Sequence, residues 1–339
     1  MSGISEIWSG NGALSSEVCA DHPLAVDECV ASQVLACIQD ARQVCCLAVV
    51  NKNFYAASLS DTVWKNRLPH PVILNSISCD DLPRSFRDQY RMLCRSVIYD
   101  RGLRVRVFSF SALRRAPAKK LITHDFWSLQ RFWLDPASGR DCYMVSARAL
   151  SICWGETPEY WEWKPWPGGM FEKVAHLNSV CWFDIKGVFK QVLRPGKYTL
   201  SFRIQLEQPE AMHSWKHNPV KLSLGNAIYA YPPCVSEVYF DGSTSFKRRW
   251  CPSVGSGMEA QASGASGTTP QCHTRGNSTS VHKWVECDVG EFSVEGDNEH
   301  RSVEVHFSMI EIEYPWWKSG FVLDGAIIRP NSVAQNVTE

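Results

Sequence analysis

Residues 197–206, KYTLSFRIQL, alternate between apolar and polar without interruption. Tyr198, Leu200, Phe202, Ile204 and Leu206 fall on one side, and Lys197, Thr199, Ser201, Arg203 and Gln205 on the other. Successive side chains of a strand point to opposite faces, so this pattern predicts a half-buried antiparallel strand. Working outward, the same period recurs at Val220, Leu222 and Leu224, at Val285, Cys287 and Val289, and at Val303, Val305, Phe307 and Met309. Short bulky runs at Val180 to Ile185 and Phe321 to Ile328 complete the set. Strands separated by turns, with no helical runs between them, predict a β-sandwich or jelly roll. One interval, about 253–280, is rich in Gly, Ser and Thr and nearly free of large apolar residues. Such a stretch buries no core and is expected to be a mobile loop.

Upstream the period is helical. Val30, Val34, Leu35 and Ile38 follow the rhythm of one buried stripe. Ala41 to Ala48 and Asn53 to Leu68 give two further helical segments, the second carrying Phe54, Leu59, Val63 and Trp64, and Pro69 and Pro71 end the run. Residues 22–70 thus form a small all-helical domain. Residues 1–21 and 332–339 are polar tails, and 71–131 form a connector with a docking helix within Ser85 to Tyr99. The fold class expected is α+β: a helical N-terminal domain followed by an antiparallel sandwich.

Composition removes several functions. The 339 residues carry 35 basic and 35 acidic side chains, so no bulk attraction to nucleic acid or anionic lipid follows. Fourteen cysteines form no C-x-x-C pair and no zinc spacing, and Cys37, Cys153, Cys181 and Cys287 lie in apolar runs, reading as buried thiols of a reducing compartment. No metal or cofactor is expected. Neither a G-x-S-x-G elbow, a P-loop nor a Rossmann fingerprint occurs, so the chain does not read as an enzyme. The first twelve residues lack the pattern of a signal peptide, and no apolar run reaches membrane length. A cytoplasmic and nuclear protein is expected.

The stretch 142–166, CYMVSARALSICWGETPEYWEWKPW, places Trp154, Trp161, Trp163 and Trp166 among Gly155, Pro158 and Pro165, on turns and short extended pieces. Indole rings on a loop are either packing residues or a flat platform for sugar or peptide. Its central run SARALSICWGETPEYWEW resembles the opening motif of the phloem protein 2 family, the Nictaba-like plant lectins. WLDPASGRDCYMVSAR, AHLNSVCWFDIKG, RPGKYTLSFRI, KWVECDVGEF and WWKSGFVLDGAIIRP follow the same family in order, and together they span about 132–331. The resemblance implies a sandwich of jelly-roll type that binds N-acetylglucosamine oligomers and related glycans. Its sugar site, carried over by position, implies Trp154 and Trp161 as stacking rings and Glu304 and Glu311 as acceptors, with Trp163 and Trp166 as packing residues. Glu304 and Glu311 are an odd number of residues apart, which puts them on opposite faces of a regular strand. The apolar phase switches from odd to even positions at Met309–Ile310, so a bulge is expected there to bring Glu311 round to Glu304's face.

The helical part carries a second resemblance. VVNKNFYAASLSDTVWKNRLP, from Val49, is similar to the later part of a plant F-box, with Pro23 standing before Leu24 where the family has it after. F-box proteins are substrate receptors of SCF ubiquitin ligases, joined through a Skp-type adaptor to the cullin. The resemblance implies adaptor contacts at Leu24, Val30, Val34, Leu47 and Trp64. The function implied is a non-catalytic receptor subunit holding a glycan or glycoprotein. A stand-alone carbohydrate-binding protein and an interaction scaffold without sugar binding are the alternatives.

Overall fold

The computed structural model describes residues 27–38, 40–77, 82–99, 129–207, 215, 218–225, 234–240, 247–250, 284–296 and 300–331. The expected tails, the loop at 253–280 and Leu24 lie outside the described residues. The chain divides into two compact units, Met1–Asn66 and Arg67–Glu339.

Among its described residues the first unit holds four short helices: α1 (Glu28–Cys37), α2 (Ala41–Leu47), α3 (Lys52–Leu59) and α4 (Asp61–Lys65). Asp27, Asp40 and Asn51 cap the first three, each side chain accepting from an N–H of the first turn. The buried face of α1 is Ala31, Ser32 and Leu35. Val30 and Val34, expected in a buried stripe, are half exposed one position round the helix. Small side chains at 31 and 32 let the neighbouring helices approach closely, and that selects the face.

In the second unit α5 (Pro71–Ser76) and α6 (Phe86–Leu93) precede the strands. The expected docking helix is shorter than its sequence pattern, because Val97–Tyr99 leaves it to become β1. The remaining strands are β2 (Gln130–Leu134), β3 (Asp141–Ser146), β4 (Ser151–Ile152), β5 (Trp161–Lys164), β6 (Val174–Leu177), β7 (Phe183–Leu193), β8 (Gly196–Leu206), β9 (Val220–Gly225), β10 (Cys234–Tyr239), β11 (Lys247–Trp250), β12 (Val285–Val294), β13 (Arg301–Glu311) and β14 (Phe321–Pro330). They form two antiparallel sheets. One runs β1-β2-β3-β14-β6-β5, with β8 on the other edge of β14 and β12 beyond it. The other runs β11-β10-β9-β13-β7-β4. Phe202 meets Phe307 at 5.5 Å, Tyr143 meets Phe189 at 5.5 Å, and Phe183 meets Phe321 at 5.1 Å, so the inner faces pack on each other.

The expected strands at 197–206, 220–224, 285–289, 303–309 and 321–328 are all present. The strand at 197–206 is not half-buried, however. Ser201 and Gln205 on its polar face are also covered, and Trp166 reaches over to donate its indole N–H to Gln205 Oε1 at 2.9 Å. Gly187 of β7 faces Phe307 so closely that an added Cβ would lie 2.3 Å from Phe307 Cζ. Gly187→Ala is therefore expected to lower stability by about 1–3 kcal/mol through overpacking, read as a lower midpoint in urea. Of the thiols expected to be buried, Cys287 is, Cys153 and Cys181 are partly so, and Cys37 is exposed at the end of α1.

Candidate functional site: an aromatic platform

β4 ends at Ile152, and the chain turns tightly through 153–160. Cys153 N–H still donates to Asp184 O of β7 at 2.9 Å, then Gly155 N–H returns to Ile152 O at 3.0 Å and Thr157 N–H to Trp154 O at 2.9 Å. A Cβ at Gly155 would sit 3.0 Å from Ile152 O, so a side chain there would be tightly crowded. Trp154 takes up the strain. At φ 60 it is the sole non-glycine with positive φ among the described residues. An L-residue in that region costs about 1–2 kcal/mol, and such strain clusters at functional sites. Here it turns the indole outward, 53% exposed.

Two other tryptophans of the motif hold the turn from below. Trp161, on β5, is only 2% exposed, stacks on Phe183 at 6.3 Å and donates its indole N–H to Cys153 O at 3.1 Å. Trp163 donates to Gly155 O at 2.7 Å, with the Arg148 guanidinium 3.7 Å over its ring. Trp161 was expected as a stacking ring for sugar. β5 pairs Trp161 with Leu177 on the inward face, so it is a core residue.

Two rings that sequence reasoning missed complete the surface. Tyr160 lies 5.8 Å from Trp154, and Trp317, 57% exposed, stacks on Tyr160 at 6.3 Å. Trp182, Tyr314 and Trp316 are exposed as well. The signal for Trp317 was in the WWKSGF motif beside Pro315, which entered the sequence reading only as part of the family resemblance.

Neither expected carboxylate reaches this platform. β13 pairs with β7 in unbroken register from Arg301 to Glu311, so the bulge expected at Met309–Ile310 is absent. Glu304 therefore faces outward opposite Lys190, bonded to it at 3.0 Å and to His306 at 3.2 Å. The Lys190 ammonium, then His306, hold its carboxyl below the usual range. It stands six residues along β7 from the Asp184 that touches the tryptophan turn, about 20 Å at strand spacing. Glu311 shares the inward phase of Val305, Phe307 and Met309 and is 3% exposed. It forms a buried ion pair with Lys318, itself 1% exposed, and accepts from Tyr314 N–H at 3.1 Å. Breaking one side of such a pair costs about 3–5 kcal/mol.

The adaptor residues separate in the same way. Val30 and Val34 are exposed, Leu47 is half-buried, and Trp64 is core, its indole N–H bonded to Ser58 O at 2.7 Å. Val49, Val50, Tyr55 and Leu59 are exposed apolar residues on the same unit. Among the described residues no cluster of His, Cys, Asp or Glu is arranged to hold a metal. Burial, reinforced by the Asp184 carboxylate, pushes the Cys153 thiol up, so this thiol beside the platform is not poised as a nucleophile.

Two packed antiparallel sheets with open indole and phenol rings on their loops define a protein of the β-sandwich class. Residues 140–330 match the family Phloem protein 2, more than half of the chain, and the chain belongs to that family. It is similar to the F-box protein At2g02240 of Arabidopsis thaliana, 29% identical over 326 residues, or 95% of this chain and 84% of that protein. F-box protein PP2-A15 of the same plant is 30% identical over 299 residues, covering 85% and 82%. F-box protein PP2-B1 is 26% identical over 320 residues, covering 85% and 84%. The likeness to plant F-box proteins with a phloem protein 2 domain thus runs through nearly the whole chain.

Proposed function

We propose that this protein is the substrate-recognition subunit of an SCF-type ubiquitin ligase, working in the cytoplasm and nucleus. The helical unit is an F-box that binds a Skp-type adaptor, and through it the cullin, by Val30, Val34 and the exposed apolar residues near them. The second unit is a sandwich of jelly-roll type that holds a glycan or glycoprotein. The ligase transfers ubiquitin; this chain supplies recognition alone. The observation that carries the reading is the row Trp154–Tyr160–Trp317, with both indoles more than half open to solvent. Flat rings cover the apolar C–H faces of sugars at low entropic cost. A shallow surface of this kind gives modest affinity per sugar.

A second reading has one observation in its favour. Glu304 is engaged away from the platform and Glu311 is buried in an ion pair, which suits a scaffold whose rings anchor a protein partner instead of a sugar. Titration of the full chain with a trimer of N-acetylglucosamine separates the two. The glycan reading expects Trp154→Ala and Trp317→Ala each to weaken binding at least tenfold, with Glu304→Ala within twofold of the wild type. No binding by the wild type, or loss in Glu304→Ala alone, sinks it. Co-purification with a Skp-type adaptor, abolished in Val30→Asp/Val34→Asp, tests the other half.

A further inference from the structure

Lys318 is almost wholly buried, yet it is ringed by oxygen. Its ammonium donates to Cys181 O at 2.8 Å, Trp316 O at 3.1 Å and Tyr314 O at 3.3 Å, and pairs with the Glu311 carboxylate. Three backbone carbonyls and one carboxylate around a single positive charge are the donor set of a small-cation site. The chain fills that site with its own side chain. The carbonyls come from two segments, 180–182 and 312–317, and the backbones of Val180 and Lys318 exchange hydrogen bonds at 2.9 and 2.7 Å beside them. These two segments bear Trp182, Tyr314, Trp316 and Trp317, which are exposed although the backbone beneath them is held from inside.

We propose that Lys318 is a tethered cation that positions the aromatic platform, with Glu311 as its counter-ion. Glu311 acts on binding through Lys318 and never touches the ligand. This rests on the platform reading above. It explains why a carboxylate occupies an inward strand position among Val305, Phe307 and Met309. The charge fixes the turn between β13 and β14, and so the ring of Trp317 against Tyr160. Without the ammonium, the carbonyls of Tyr314 and Trp316 lose their common donor and the turn is released.

The test uses full-length protein labelled with 5-fluorotryptophan, its fluorine resonances assigned by single substitutions. In Glu311→Gln and Lys318→Ala the resonances of Trp316 and Trp317 are expected to shift or broaden while that of Trp161 stays in place. Affinity for the N-acetylglucosamine trimer is expected to fall at least tenfold. Added n-propylammonium, which replaces the missing side chain and its charge, should restore both readouts in Lys318→Ala, and n-propanol should not. Unmoved Trp316 and Trp317 resonances overturn the proposal, as does restoration by n-propanol to the same degree, or none by the ammonium. If Lys318→Ala does not fold, Glu311→Gln, which keeps the acceptor for Tyr314 N–H, decides on the resonances alone. If the wild type holds no glycan, the reading of the function fails while the fluorine spectra still judge the positioning role.

Discussion

Trp161→Ala is expected to lower stability by about 3–5 kcal/mol, the range for removing a buried aromatic side chain. The substitution empties a site against Phe183 and strips Cys153 O of its donor, so the tryptophan turn loosens as well. Trp154→Ala removes an exposed ring from the same turn and should leave stability within about 0.5 kcal/mol. Trp154→Gly should raise it by about 1 kcal/mol, since glycine accepts φ 60 without penalty. Urea denaturation of the three variants, beside glycan titration, tells the two tryptophans apart. On the proposed glycan reading binding is expected to fall in all three, but only in Trp161→Ala through the fold. Equal stability of Trp161→Ala and the wild type would contradict the core assignment.

The second large effect is a pair of opposed pH dependences. Asp141 is fully buried on β3, with Arg194 Nε at 3.8 Å and His300 Nε2 at 3.9 Å. Burial pushes its carboxyl up to about 6, against the partial relief of Arg194 and Arg140. His300 is pushed down to about 4 by burial, then by Arg194 and by His70, whose ring lies 4.9 Å away. The neutral imidazole accepts from Arg194 Nε at 3.3 Å, and the same guanidinium holds the carbonyls of Arg67 and Leu68. Between pH 4 and 6 the unfolded chain has released the Asp141 proton while the native chain retains it. Stability therefore falls as pH rises through this window, by about 3 kcal/mol in all. For His300 the unfolded chain takes up a proton near 6.5 that the native one refuses until about 4, so this contribution rises with pH over the same window. The two slopes cancel in part. Asp141→Asn should leave the His300 slope and make the protein more acid-sensitive between pH 6.5 and 4. His300→Gln should leave the Asp141 slope, so stability increases on acidification from 6 to 4. Urea midpoints at half-unit pH steps read the differences, in which other titrating groups drop out. Parallel profiles for the wild type and both variants would rule the cluster out as their source.

The strands were legible because their alternation is long and clean, as in Tyr198 to Leu206 and Val303 to Met309. Glu311 defeated the same rule. An ionisable residue in the apolar phase reads as a break, and the sequence pattern supplied a bulge to explain it. The structure keeps the phase and pairs the charge with Lys318, a partner that periodicity cannot supply because it lies beyond a turn. Val30 and Val34 were misjudged for a related reason. Hydrophobicity marks a face, but the small side chains of Ala31 and Ser32 decide which face packs. The tryptophan loop was found at once, whereas the division of labour within it was not. Exposure of Trp154 and burial of Trp161 depend on a positive φ and an inward strand register, and neither leaves a mark on composition.

β14 holds β8 along one edge and both β6 and β3 along the other. It is the last of these strands to be synthesised. Until Pro330 has emerged from the ribosome, β3, β6 and β8 share no partner, and their edges are open to other chains. Pairing over such sequence separations is slow. The newly made chain thus passes through a period in which its own sheet is an aggregation hazard. Loss of the final strand would remove the axis of the larger sheet, not merely one of its margins.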